Sequence, residues 1–116
     1  KAKAKGIIDI VEDHNVDMES QIPDRFSAGT LKNYRTLKKH LISFIPKEYK
    51  TVDRELKKID RHFIYSFERY LLFNTLCNQN GAMKVLQRFK KITALAKRKD
   101  LMDHDPFDGY RFVFKR

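Results

Sequence analysis

Two runs of this chain carry bases at the spacing of a single helix face, a pattern that binds anions. In the first, Lys32, Arg35 or Thr36, and Lys39 follow i, i+3 or i+4, i+7, and residues so spaced share one side of a helix. In the second, Lys84, Gln87 or Arg88, and Lys91 repeat the arrangement. Each face begins beside small hydroxyl or amide residues: Ser27 and Thr30 in one case, Asn78 and Asn80 in the other. A helix N-terminus offers unpaired N–H groups and partial positive charge, which suits a phosphate oxygen. Bases one and two turns further in reach the next phosphates or, in a major groove, base edges. The plainer reading is a solvated helix face, but such faces ordinarily mix signs. These do not: no acid stands between Asp24 and Glu48, and the 31 residues from Arg69 to Lys99 hold eight bases and no acid. Lys97, Arg98 and Lys99 also suit the negative end of a helix dipole, which accounts for part of that run without any ligand.

The charge of the whole chain points the same way. Its 116 residues carry a net +10, which favours phosphate-bearing partners, and charge alone does not separate nucleic acid from an anionic membrane surface. Residues 1–26 sum to −2 and residues 27–116 to +12, so the basic character belongs to the body. The single cysteine, Cys77, excludes an internal disulfide and a Cys-based zinc site. No metal or cofactor is expected, because His14, His40, His62 and His104 lack a ligand spacing and the four glycines form no phosphate loop or dinucleotide turn. No paired carboxylates converge on an apolar pocket, so no catalytic residue is assigned. No run is long and apolar enough to span a membrane. The chain starts with Lys1 and reads as an excised piece of a longer protein.

These faces need helices to position them, and the sequence supplies four. Ile7, Ile8, Val11, His14 and Met18 recur at helical spacing, with an outer face of Asp9, Glu12, Asp13 and Asp17, until Pro23 and Asp24 break the pattern. Ser27 is a good N-cap for a second helix that should stop near Ile45, before Pro46. Its apolar face is Leu31, Tyr34, Leu41, Phe44 and Ile45, with Leu37 or Lys38 at the seam. Residues 46–58 read as a loop with an extended stretch around Val52–Leu56. Asp60 caps a third helix to about Phe73, burying Phe63, Ile64, Phe67, Tyr70 and Leu71. A fourth starts near Asn78 or Asn80 and ends around Lys99, burying Val85, Leu86, Phe89, Ile92 and Leu95 or Ala96. Tyr110 to Phe114 alternates like a short strand with no partner. The expected fold is all-α, an orthogonal bundle of four to five helices. A leading helix and linker occupy 1–26, the helical domain 27–107, and the start of an outgoing linker 108–116.

Several of these stretches resemble the SAM-like core-binding domain of tyrosine recombinases, the phage-type integrases, most closely those of Bacteroides-type mobile elements. The resemblance rests on Ser27-Ala28-Gly29-Thr30-Leu31-Lys32-Asn33-Tyr34 with Leu41-Ile42-Ser43-Phe44-Ile45, then on Ile59 through Leu71, on Asn78-Gln79-Asn80-Gly81-Ala82-Met83-Lys84, and on Asp105-Pro106-Phe107. Each motif is common alone; four in order on a basic chain are more specific. The resemblance implies a DNA-binding half of a C-shaped clamp, used in DNA integration and recombination. It also implies a separate catalytic domain bearing Arg, Lys, His and a nucleophilic Tyr beyond Arg116, so this stretch is not itself an enzyme. The DNA-facing positions it implies are Thr30, Lys32 and Arg35, and Asn80, Lys84, Arg88 and Lys91; Lys39 joins them from the spacing argument. Gly81 departs from the pattern, since the family more often has Thr or Ser there. Implied partners are double-stranded DNA, the catalytic domain and other recombinase protomers, in a bacterial cytoplasm at the nucleoid. The rival reading from another class is a helical interaction domain that docks an acidic protein.

Overall fold

The structure, a computed structural model, describes residues 5–116; the first four residues of the leading segment lie outside it. It is all-helical, with four α-helices and, among the described residues, no β-strand. The chain divides into two units, one ending at Glu55 and the other beginning at Leu56.

The first unit is built from α1 (Ile7–Glu19) and α2 (Ala28–Tyr49), which pack on each other. Gly6, at the N-cap of α1, has no side chain to offer, and a distant residue supplies the cap instead. The Asp53 carboxylate accepts from Ile8 N at 3.0 Å and from Arg54 N at 2.7 Å. Ile7 N donates to Arg54 O, and Gly6 pairs with Glu55 in a single antiparallel bridge. The extended stretch expected around Val52–Leu56 reduces to that bridge. Helix α1 buries Ile7, Ile10, Val11, Asn15 and Met18, while Ile8 and His14 are only half-buried. The buried stripe thus lies slightly to one side of the expected one.

Ser27 caps α2 as expected, its Oγ accepting from Thr30 N at 3.1 Å. Leu37 is fully buried at the seam and Lys38 lies beside it, half-buried. The helix does not stop at Ile45. It continues through Pro46 to Tyr49, where Lys50 takes a left-handed φ of 61° and donates its N–H to Pro46 O. Proline costs a helix its own N–H bond to the preceding turn, and only one turn follows here. That turn is held by Tyr49, which meets Phe44 edge-on at 6.1 Å and lies under the Arg54 guanidinium at 3.6 Å.

The second unit opens with a 3-10 turn, Leu56–Lys58, and then holds α3 (Arg61–Asn74) and α4 (Gln79–Arg98). Both helices start where the sequence signals it. Asp60 Oδ1 accepts from Phe63 N at 2.9 Å, and Asn78 Oδ1 accepts from Gly81 N at 2.8 Å. Helix α3 buries Phe63, Ile64, Phe67 and Leu71, with Tyr70 half-buried. Helix α4 buries Val85, Leu86, Phe89, Ile92 and Ala96, and also Ala82, Met83 and Thr93, which the spacing argument omitted. Phe89 is the hub of an aromatic core, 5.9 Å from Phe63, 5.7 Å from Phe67 and 5.8 Å from Phe107.

The Tyr110–Phe114 stretch is not a strand. It lies against α4 through side chains rather than a backbone ladder. Tyr110 and Phe112 turn inward, Phe112 stacking on Phe107 at 6.0 Å and Tyr110 meeting Phe107 edge-on at 5.7 Å. The alternation that imitates a strand comes from two inward aromatic rings separated by the exposed Arg111.

Candidate nucleic-acid interface

The basic face of α4 is held by the burial of its opposite side. Phe89, Leu86, Ile92 and Ala96 fix the rotation of the helix, which leaves Lys84 and Lys91 exposed and Arg88 half-buried between them. None of the three has an ion-pair partner among the described residues. They line an open concavity together with Gln87, Lys90 and Phe112. The Lys90 ammonium lies 5.6 Å from the Phe112 ring centroid, within cation–π range. Phe112 and Lys90 line this concavity and were not among the residues that the sequence analysis singled out. Phe112 was hidden by its strand-like setting, and Lys90 by lying off the Lys84–Lys91 line.

The face on α2 is less free than its sequence implies. Lys32 and Lys39 are exposed and without an acidic partner among the described residues. Arg35 pairs with Glu19 at 3.2 Å, and Lys38 with Glu12 at 2.8 Å, so α1 supplies acids to a stretch of α2 that has none of its own before Glu48. The Thr36 hydroxyl donates to Lys32 O within its own helix. Thr30 is half-buried, with Oγ1 at 3.1 Å from Ser27 Oγ. His40, beside Lys39, is pushed below the usual histidine range by burial first and by the Lys39 charge second, and so adds no cation at neutral pH.

Asn80 sits in the first turn of α4 with both ends of its amide engaged. Its Nδ2 donates to Lys115 O at 2.8 Å, and its Oδ1 accepts from Lys115 N at 2.7 Å. Gln79 Nε2 donates to Val113 O at 2.8 Å. The cap also gives Gly81 a local reason: a Cβ there would stand 3.1 Å from Asn78 Oδ1, tighter than ordinary van der Waals contact. The chain thus has a glycine where its relatives were expected to carry a hydroxyl.

Among the described residues there is no group of three or more His, Cys, Asp or Glu placed to hold a metal ion. No helix there is long and apolar enough to cross a membrane. No curated protein and no solved structure matches the chain. One family model does, that of the phage integrase SAM-like domain, over residues 6–113.

Proposed function

The chain belongs to the phage integrase SAM-like domain family, and on that premise we propose that it holds duplex DNA for a site-specific tyrosine recombinase. The observation that carries this reading is the face of Lys84, Arg88 and Lys91 on α4, same-signed and without an acidic partner among the described residues. Lys32 and Lys39 on α2 add phosphate contacts of the same kind, and Thr30 and Arg35 lie beside them. Contacts of this type bind the backbone with little sequence preference. The cutting and rejoining of strands, through a phosphotyrosine bond, belongs to a companion catalytic domain. Recombinase protomers assemble around the DNA so held, at the bacterial nucleoid.

A duplex titration across salt concentrations tests the reading. Four phosphate contacts give a slope of log K against log salt of about −3.6, and a Kd of roughly 10⁻⁴ to 10⁻⁶ M at physiological salt. The double variant Lys84→Glu, Arg88→Glu is expected to abolish binding while its circular dichroism stays that of the parent. An affinity indifferent to salt, or tighter binding to an acidic protein than to duplex DNA, overturns the proposal.

A further inference from the structure

Within the second unit, residues 110–115 are docked on α3 and α4 by more than apolar contact. Tyr110 OH donates to Glu68 Oε1 at 3.0 Å, and Phe112 stacks on Phe107. Val113 O accepts from Gln79, and Lys115 exchanges two hydrogen bonds with the Asn80 amide at 2.7 and 2.8 Å. An amide that gives one bond and takes one from the same backbone residue fixes that residue's position and orientation together.

The position so fixed matters because of what lies next to it. Asn80 and Lys84 are four residues apart on one helix, so they are neighbours on its surface. The clasp therefore holds the backbone of Lys115 against the residue one helical turn before Lys84, where same-face side chains start about 5–6 Å apart. Lys115 is exposed and has no ion-pair partner among the described residues. Successive phosphates of one strand are spaced on a similar scale, so two bases one turn apart can meet adjacent charges.

We propose that Asn80 is a positioning residue: by clasping Lys115 to the first turn of α4 it adds the Lys115 ammonium to the row of Lys84, Arg88 and Lys91, as a further contact to the DNA backbone. Asn80 then acts on DNA through Lys115 rather than by touching it, since one N–H and the oxygen of its amide are held by the Lys115 backbone. The inference rests on the duplex-binding reading above.

The test combines two measurements on the chain and on Asn80→Ala, Lys115→Ala and the double variant. Amide hydrogen exchange at Lys115 reports the clasp, and a duplex titration at several salt concentrations reports the contact. In Asn80→Ala the Lys115 amide is expected to lose its protection, with circular dichroism unchanged. Asn80→Ala and Lys115→Ala should each flatten the salt slope by about 0.9, uniformly across DNA sequences. The double variant should bind no worse than either single one, because both remove the same contact. Asn80→Gln, which keeps both hydrogen-bonding groups, should recover part of the slope. The inference falls if Asn80→Ala weakens binding while Lys115 stays protected, if the two losses add, or if protection is lost without effect on affinity. Wild-type chain that shows no salt-dependent binding overturns the duplex reading and this inference with it. Loss of the inference alone leaves wild-type binding intact.

Discussion

At the residue scale, two positions carry constraints that their own chemistry makes testable. Gly6 stands so close to Asp53 that a Cβ on it would lie 2.2 Å from the carboxylate, a distance that forces the acid away. Asp53 would then release Ile8 N and Arg54 N, and with them the cap of α1. Loss of a cap costs about 0.5–2 kcal/mol, so Gly6→Ala is expected to lower the urea midpoint accordingly; an unchanged midpoint would refute the role given to Asp53. His104 provides the second case. Its Nδ1 lies 2.9 Å from Asp103 Oδ1 and its Nε2 lies 2.7 Å from Ile59 O. Both acceptors favour a doubly protonated ring, so the Asp103 bond first and the Ile59 bond second raise His104 above the usual 6.5. A raised pKa stabilises the fold fully below the unfolded value and loses that contribution as pH climbs through the folded value. Stability should therefore decline as pH rises above the ordinary histidine value of about 6.5, and His104→Gln should flatten that decline. Equal slopes for the two proteins in thermal melts would argue against it.

At the scale of elements, α4 separates stability from binding by its two faces. Phe89 is fully buried among Phe63, Phe67 and Phe107, and truncating such a ring costs about 3–5 kcal/mol. Lys91, on the other side, is exposed, and its removal should stay within about 0.5 kcal/mol. Phe89→Ala is thus expected to lower the unfolding midpoint sharply, whereas Lys91→Ala should change only the duplex titration; a binding loss without a stability loss in Phe89→Ala would contradict this division. Local signals made this helix legible in the sequence: a start near Asn78 or Asn80, of which Asn78 is the cap, the apolar stripe, and the acid-free run. Ser27 and Asp60 were readable for the same reason, since a cap and the N–H it receives are three residues apart. Features set by distant residues were not readable. The cap of α1 comes from Asp53, the extra turn beyond Pro46 is held by Tyr49 and Arg54, and the alternation at Tyr110–Phe114 reflects packing on an aromatic core. The candidate site shows the same division. The spacing of Lys84, Arg88 and Lys91 lies within one helix, but the partners of Asn80 and Arg35 are residues 35 and 16 positions away.

For the whole molecule, the uneven distribution of charge has a consequence for affinity. The leading 26 residues carry −2 against +12 in the remainder, and two of their acids are spent on bases of α2: Glu12 on Lys38 and Glu19 on Arg35. Both pairs are largely at the surface, where an ion pair contributes about 0–1 kcal/mol to stability. Their larger effect is on ligand binding, because a base held by a carboxylate must break that pair, or share it, before meeting a phosphate. Glu12→Gln with Glu19→Gln removes the competition and keeps the size and polarity of both side chains. The double variant is expected to melt within a few degrees of the parent but to bind duplex DNA more tightly. Two additional phosphate contacts would steepen the salt slope by up to about 1.8. A general reduction in negative charge would also raise affinity, so Asp24→Asn serves as the control. It removes a charge from the same segment without releasing a base paired in the structure, and should raise affinity only weakly with little change in slope. Steepening in the double variant and not in the control identifies Arg35 and Lys38 as bases held in reserve by α1; equal effects from both would reduce the role of α1 to bulk charge.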